Sequence, residues 1–149
     1  MTHFIVEADG ASRGNPGHAS FGSVVRNAAT GEVVVEIGGV LGHATNNVAE
    51  YRGLIAGLEA VAAIDQGAIV EVRMDSKLVV EQMSGRWAIK NAGLRDLAMQ
   101  AREILTFNQV TYTWIPREDN KHADAIANEA LDDHLVGGSG VIHRAFHAE

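Results

Sequence analysis

The sequence predicts an α/β domain whose mixed five-stranded sheet, three antiparallel strands and then two parallel ones, is flanked by helices. Three observations lead there. The chain opens with three β-prone segments separated by glycine-rich or polar turns. A long stretch of apolar residues at helical spacing follows. Two short β-branched runs then alternate with helix-like segments, a pattern that requires parallel crossovers.

Phe4 to Ala8 is apolar enough for a first strand and runs into DGASRGNPG, which reads as a turn. Ala19 to Arg26 and Gly31 to Gly39, joined by NAATG, read as a hairpin. From Val48, the residues Tyr51, Leu54, Ile55, Leu58, Val61 and Ala62 recur at helical spacing to about Gln66. Asn47 suits the N-cap of that helix, with Glu50 as its capping-box partner. Ile69 to Met74 reads as a fourth strand, and Ser76 to Met83 and Leu94 to Leu105 as helices. Val110 to Ile115 reads as the fifth strand and Asn120 to Leu131 as a last helix. Residues 133–149, with GGSG at 137–140, hold no convincing element. The expected division is therefore a domain over 1–132, followed by a docked extension or the start of a linker to another domain.

A chain of 149 residues, 46% of them hydrophobic, suits one ordinary globular core. No run approaches the roughly eighteen apolar residues of a membrane span, and no basic-then-apolar leader opens the chain. The absence of cysteine excludes disulfides and thiolate-bound metal and suits a reducing, cytoplasmic setting. The net charge of -7 argues against a broad basic nucleic-acid face. It is compatible with carboxylates gathered around cations, which offset the charge locally.

Four acids stand at positions with mechanical meaning. Asp9 follows the first strand and Asp75 the fourth, while Glu50 and Asp124 lie near helix starts. Adjacent strand ends and helix starts would bring them into one small volume. Such a cluster suits hard, oxygen-seeking Mg²⁺ or Mn²⁺, two of which about 4 Å apart can activate water and stabilise a leaving oxygen. Each acid also has a plainer reading: a turn for Asp9, a capping box for Glu50, an N-cap for Asp75, and a dipole-favoured first-turn acid for Asp124.

The stretches IVEADGASRGNPG, TNNVAEYRGLIAGLEA, VRMDSKLVVEQMSG and TWIPREDNKHADAIANEA resemble, in this order, the active-site blocks of type 1 ribonuclease H. The resemblance covers about residues 3–131. It implies the ribonuclease H-like sheet, and endonucleolytic hydrolysis of the RNA strand of RNA–DNA hybrids by two Mg²⁺ ions, with Mn²⁺ a substitute. Products would carry 5′-phosphate and 3′-hydroxyl ends, with little sequence specificity. Asp9, Glu50, Asp75 and Asp124 match the family's catalytic, metal-binding acids. Asn15, Thr45, Asn46 and Asn47 match its substrate-contacting residues.

The chain departs from the family pattern twice. SGRWAIKN leads almost directly into the next helix, so this resembles the compact form that lacks a basic protrusion. That predicts weaker unaided hybrid binding, or help from a further domain. Arg86, Trp87 and Lys90 form a small aromatic-basic cluster there, readable as a backbone contact or as an indole packed under the sheet edge. The second departure is a shortened WIPREDNKHAD, which offers no match to the mobile histidine of several family members. His122 is expected to point away from Asp124, since i and i+2 share no helix face. Arg117 or Glu118 could stand in, and Ser76 could support the site. His143 and His147 are four apart but lie in the tail, so no zinc site is expected. A DNA-directed nuclease and a noncatalytic hybrid-binding module are the rival readings.

Overall fold

A computed structural model describes residues 2–146. Its strands are β1 (His3–Gly14), β2 (Gly17–Asn27), β3 (Val33–Ala44), β4 (Ile69–Met74), β5 (Val110–Trp114) and β6 (Ile142–Ala145). Its α-helices are α1 (Asn46–Ile64), α2 (Lys77–Met83), α3 (Ala92–Ile104) and α4 (Lys121–Leu135). The sheet order is β5-β4-β1-β2-β3-β6. β1 runs antiparallel to β2 and parallel to β4, β4 runs parallel to β5, and β2–β3 and β3–β6 are antiparallel. The expected mixed sheet, with three antiparallel strands and then two parallel ones, is therefore present.

Alternation along the strands sorts residues between two faces. Phe4, Val6 and Ala8 of β1 and Val70, Val72 and Met74 of β4 are buried in the larger core, with Tyr51, Leu54 and Leu58 of α1 and Leu97 of α3. Each fully buried leucine there contributes about 1.5–3 kcal/mol. On the other face α4 packs Ala123, Ile126 and Ala130 against Val24 and Ile142. One helix layer thus descends on β1 from each side.

The structure revises several expected boundaries. β1 continues through Gly14, because its ladder with β2 pairs every residue from Phe4↔Asn27 to Gly14↔Gly17. The turn signals in DGASRG yield to that ladder, and only Asn15-Pro16 separates the two strands. β3 occupies 33–44 rather than 31–39. The N-cap of α1 is Thr45 rather than Asn47: its side chain accepts from Val48 N at 3.2 Å. Glu50 therefore has no capping duty. Ser76 caps α2, accepting from Val79 N at 3.3 Å, which removes the N-cap reading of Asp75. α3 starts at Ala92 with Asn91 as its cap. α4 runs to Leu135, and a sixth strand was not anticipated. β6 lies on β3, and Arg144 bridges Glu36 (2.7 Å) and Glu129 (2.8 Å), tying the strand to β3 and α4.

Candidate active site

Two glycines let the helices approach the sheet closely enough to build the site. A Cβ on Gly10 would fall 2.3 Å from Ala49 C and from Glu50 N, so only glycine lets the first turn of α1 rest on β1. A Cβ on Gly22 would fall 2.3 Å from Ala123 O, which is how α4 reaches β2. Glu50 and Asp124 arrive beside Asp9 from opposite sides of the sheet. The parallel ladder between β1 and β4 ends at Glu7↔Arg73, and the strands carry Asp9 and Asp75 just past it.

Carboxylate oxygens of Asp9, Glu50 and Asp75 lie within 4.8 Å of one another. Asp124 joins them on the wall of one open cleft of about 460 Å³, lined also by Gly10, Ser12, Arg13, Asn46, Asn47, Ser76, Arg117 and Asn128. Asp9 is buried. Burial, then the charges of Glu50 and Asp75, then hydrogen bonding with Glu50 and Asp124, push its pKa up to about 10. Burial likewise pushes Glu50 up to about 8; a hydrogen bond with Asp9 opposes this, while the charge of Asp75 adds to it. Asp9 and Glu50 therefore resist ionisation at neutral pH unless a cation joins them.

The donor set fits a divalent ion. All four side chains offer carboxylate oxygen, the ligand class of Mg²⁺ and Mn²⁺. Glu50 Oε2 is buried with no hydrogen-bond partner. A carboxylate oxygen left so is costly in a protein interior, and a cation could satisfy it.

The expected substrate-side residues gather at one rim. Asn46 and Asn47 line the cleft. Asn15 Oδ1 accepts from Asn46 N at 3.1 Å, tying the β1–β2 turn to the start of α1; among the described residues the Asn15 amide group has no hydrogen-bond partner. The Thr45 hydroxyl accepts from Val48 N and retains its own proton for donation. Among the other candidates, Ser76 and Arg117 line the cleft, and among the described residues Arg117 forms no ion pair. Glu118 does not line it. Arg86 is paired with Glu81 at 2.6 Å and faces a separate hollow between α2, α3 and β5. Trp87 is half-exposed, and neither it nor Lys90 lines the cleft.

His122 turns away, as the helix geometry requires. Arg26 donates to its Nδ1 at 2.7 Å, and its Nε2 faces Glu36. His147 lies outside the described residues. Two of the residues that sequence reasoning missed bear on the acids directly. Asn128, one turn beyond Asp124, lines the cleft and donates to Asp124 O at 3.0 Å. Asn120 is buried and donates to Ala8 O at 2.9 Å and to Asp75 Oδ1 at 2.8 Å. An asparagine before a helix that bears a site acid was the available signal.

A family model described as reverse transcriptase-like matches residues 7–130. The bifunctional protein Rv2228c of Mycobacterium tuberculosis is 52% identical over 130 residues, covering 86% of this chain and 35% of that protein. Ribonuclease HI of Halobacterium salinarum is 50% identical over 126 residues, covering 84% of this chain and 62% of the relative. The chain thus spans between about a third and somewhat under two thirds of these relatives. The crystal structure of LC11-RNase H1 in complex with an RNA/DNA hybrid superposes with a TM-score of 0.84 at 37% identity, covering 89% of this chain and 99% of that one.

Proposed function

The chain belongs to the type 1 ribonuclease H family, and from that premise we propose that it is an endonuclease hydrolysing the RNA strand of RNA–DNA hybrids. The observation that carries the reading is the convergence of Asp9, Glu50 and Asp75 within 4.8 Å, with Asp124 on the same cleft. These four carboxylates would hold two Mg²⁺ ions, or Mn²⁺ in their place. The ions would supply an ionised water and charge neutralisation at the leaving oxygen, giving 5′-phosphate and 3′-hydroxyl ends.

The remaining work falls to the protein. Asp9 stands among the other acids, close to Glu50, Asp75 and Asp124, and would help hold both ions. Asn15, Thr45, Asn46 and Asn47 offer amide and hydroxyl groups along one rim, suited to sugar hydroxyls and phosphate oxygens. Contacts of that kind tell RNA from DNA through the 2′-hydroxyl and carry little base information. Arg117, free of any ion pair among the described residues, faces the cleft where phosphate would lie and substitutes for the absent histidine. Ser76 supports the site as the cap of the helix that follows Asp75.

The short segment between α2 and α3, with Arg86 held by Glu81, supports weak unaided hybrid binding. The greater length of Rv2228c, whose ribonuclease H domain is N-terminal, supports a further domain following this one. Residues 1–132 would then form the catalytic unit and 133–149 an extension, docked through β6. Among the described residues no helix is long and apolar enough to cross a membrane. A cytoplasmic setting rests on the absence of cysteine. Labelled RNA–DNA, RNA–RNA and DNA–DNA duplexes incubated with the protein and Mg²⁺ test the proposal. Cleavage confined to the RNA of the hybrid is expected; cleavage of the DNA duplex, or binding without cleavage, refutes it.

A further inference from the structure

We infer that Asn120 is a positioning residue for the metal site, its side-chain amide setting the separation of Asp9 and Asp75; the inference rests on the metal-site reading above. The parallel ladder of β1 and β4 stops at Glu7↔Arg73, so the stretch of β1 that carries Asp9, although paired with β2 on its other side, is no longer paired with the end of β4 that leads to Asp75. One residue past the last rung, Ala8 O accepts instead from Asn120 Nδ2 at 2.9 Å. The same nitrogen donates to Asp75 Oδ1 at 2.8 Å. One amide group therefore acts as the missing rung, holding β1 just before Asp9 and fixing the carboxylate of Asp75 by one oxygen.

The plainer role for an asparagine here is to cap α4. Asn120 occupies the N-cap position, yet its side chain makes no capping hydrogen bond. Both protons of Nδ2 go to Ala8 of β1 and to Asp75 just past β4, while its backbone carbonyl receives Asp124 N at 3.2 Å. Through side chain and backbone together it touches the elements that carry Asp9, Asp75 and Asp124. Its Oδ1 is buried without a partner, so the orientation of the amide is dictated by the two donations alone. Four mutually repelling carboxylates would otherwise spread, and a neutral donor binds one of them without adding charge.

The test measures Mn²⁺ binding to the full chain by titration calorimetry, without nucleic acid, for the parent, Asn120→Ala and Asn120→Leu. Leucine keeps most of the volume and removes the donors, so it separates donation from packing. Both variants are expected to bind Mn²⁺ about 10–100-fold more weakly. In hybrid cleavage the Mg²⁺ concentration for half-maximal rate should rise with KM for hybrid unchanged. Parent-like affinity in Asn120→Leu overturns the role of Asn120 alone, whereas no binding by the parent overturns the metal site and this inference with it. Should the variants not fold, the parent still decides: its Asn120 side-chain amide resonances should move on Mg²⁺ saturation, and resonances that stay fixed while the ion binds overturn the proposal.

Discussion

Glu50 reaches the cleft because its backbone nitrogen lies directly over Gly10, at a distance that leaves no room for a Cβ. Gly10→Ala must therefore lift the first turn of α1 from β1 or bend the strand. Overpacking of this kind costs about 1–3 kcal/mol. Because the strain falls on Ala49 and Glu50, the larger consequence is a displaced carboxylate. Urea denaturation should show the modest loss of stability, while Mg²⁺-dependent cleavage of a labelled hybrid drops at least 100-fold. Parent activity in a folded Gly10→Ala would remove the close approach from the explanation of the site.

Asp9→Asn is expected to separate stability from activity. The Asp9 pKa is raised, so the folded state holds a proton that the unfolded chain releases above its ordinary 3.8. Stability without metal therefore falls as pH rises from about 3.8 towards about 10. Asparagine carries no such penalty. In EDTA at pH 7 the variant should melt above the parent, and the gap should close below pH 4. Cleavage should fall by several orders of magnitude, since the side chain central to the cluster no longer carries charge. A variant that melts below the parent at both pH values contradicts the charge-repulsion account.

Three of the acids were legible in the sequence because they sit near element boundaries that propensity marks well: polar helix entries for Glu50 and Asp124, and a β-branched run ended by Asp-Ser for Asp75. Asp9 was marked only by the glycine after it, and β1 in fact runs on past it to Gly14. Less legible was what tertiary contact decides. Asn47 is the better cap by residue type, and the long β3, ending at Ala44, selects Thr45 instead. DGASRG carries turn residues, but a full antiparallel partner in β2 holds it extended. β6 has four residues, three of them exposed, and no alternating pattern long enough to mark it; its place comes from the β3 edge and from Arg144. Asn120 was marked only by its place before the helix that bears Asp124, because its partners, Ala8 and Asp75, lie 112 and 45 residues away in the chain.

Activity should decline in acid. The acids must be ionised to hold a cation, and the raised pKa values of Asp9 and Glu50 mean that binding must displace protons held near neutrality. The Mg²⁺ concentration for half-maximal cleavage should therefore fall as pH rises from 6 to 8, with proton release detectable in unbuffered titration. A half-saturation value independent of pH would mean that the acids are already ionised without metal.

Arg144→Ala tests how the tail is held. Burial pushes the Glu36 carboxyl up, but hydrogen bonds from Arg144 and His122 outweigh it and leave its pKa lowered. A lowered carboxylate contributes stability above its ordinary 4.5 and loses it as pH falls through the depressed value. The ion pairs of Arg144 are solvent-screened, so the variant should lose only about 1 kcal/mol near pH 7. The difference from the parent should shrink as pH falls below 4.5, and hydrogen exchange of β6 amides should quicken. Unchanged exchange there would assign the docking of β6 to its ladder with β3 alone.

Arg117→Ala and Glu118→Gln address the missing histidine. Both residues follow Pro116 in a short 3-10 turn before α4, but only Arg117 lines the cleft. A guanidinium in that position cannot act as a general base, because it does not deprotonate in proteins. Its effect must come through charge: attraction for the phosphate before cleavage, and retention of the new 5′-phosphate after it. Arg117→Ala should therefore lower turnover by about 10-fold with a matching change in product release, measured by burst kinetics, while leaving the pH profile unaltered. Glu118→Gln should behave as the parent. A pH profile reshaped by Arg117→Ala would instead link the residue to proton transfer, and the phosphate-holding role would have to be abandoned.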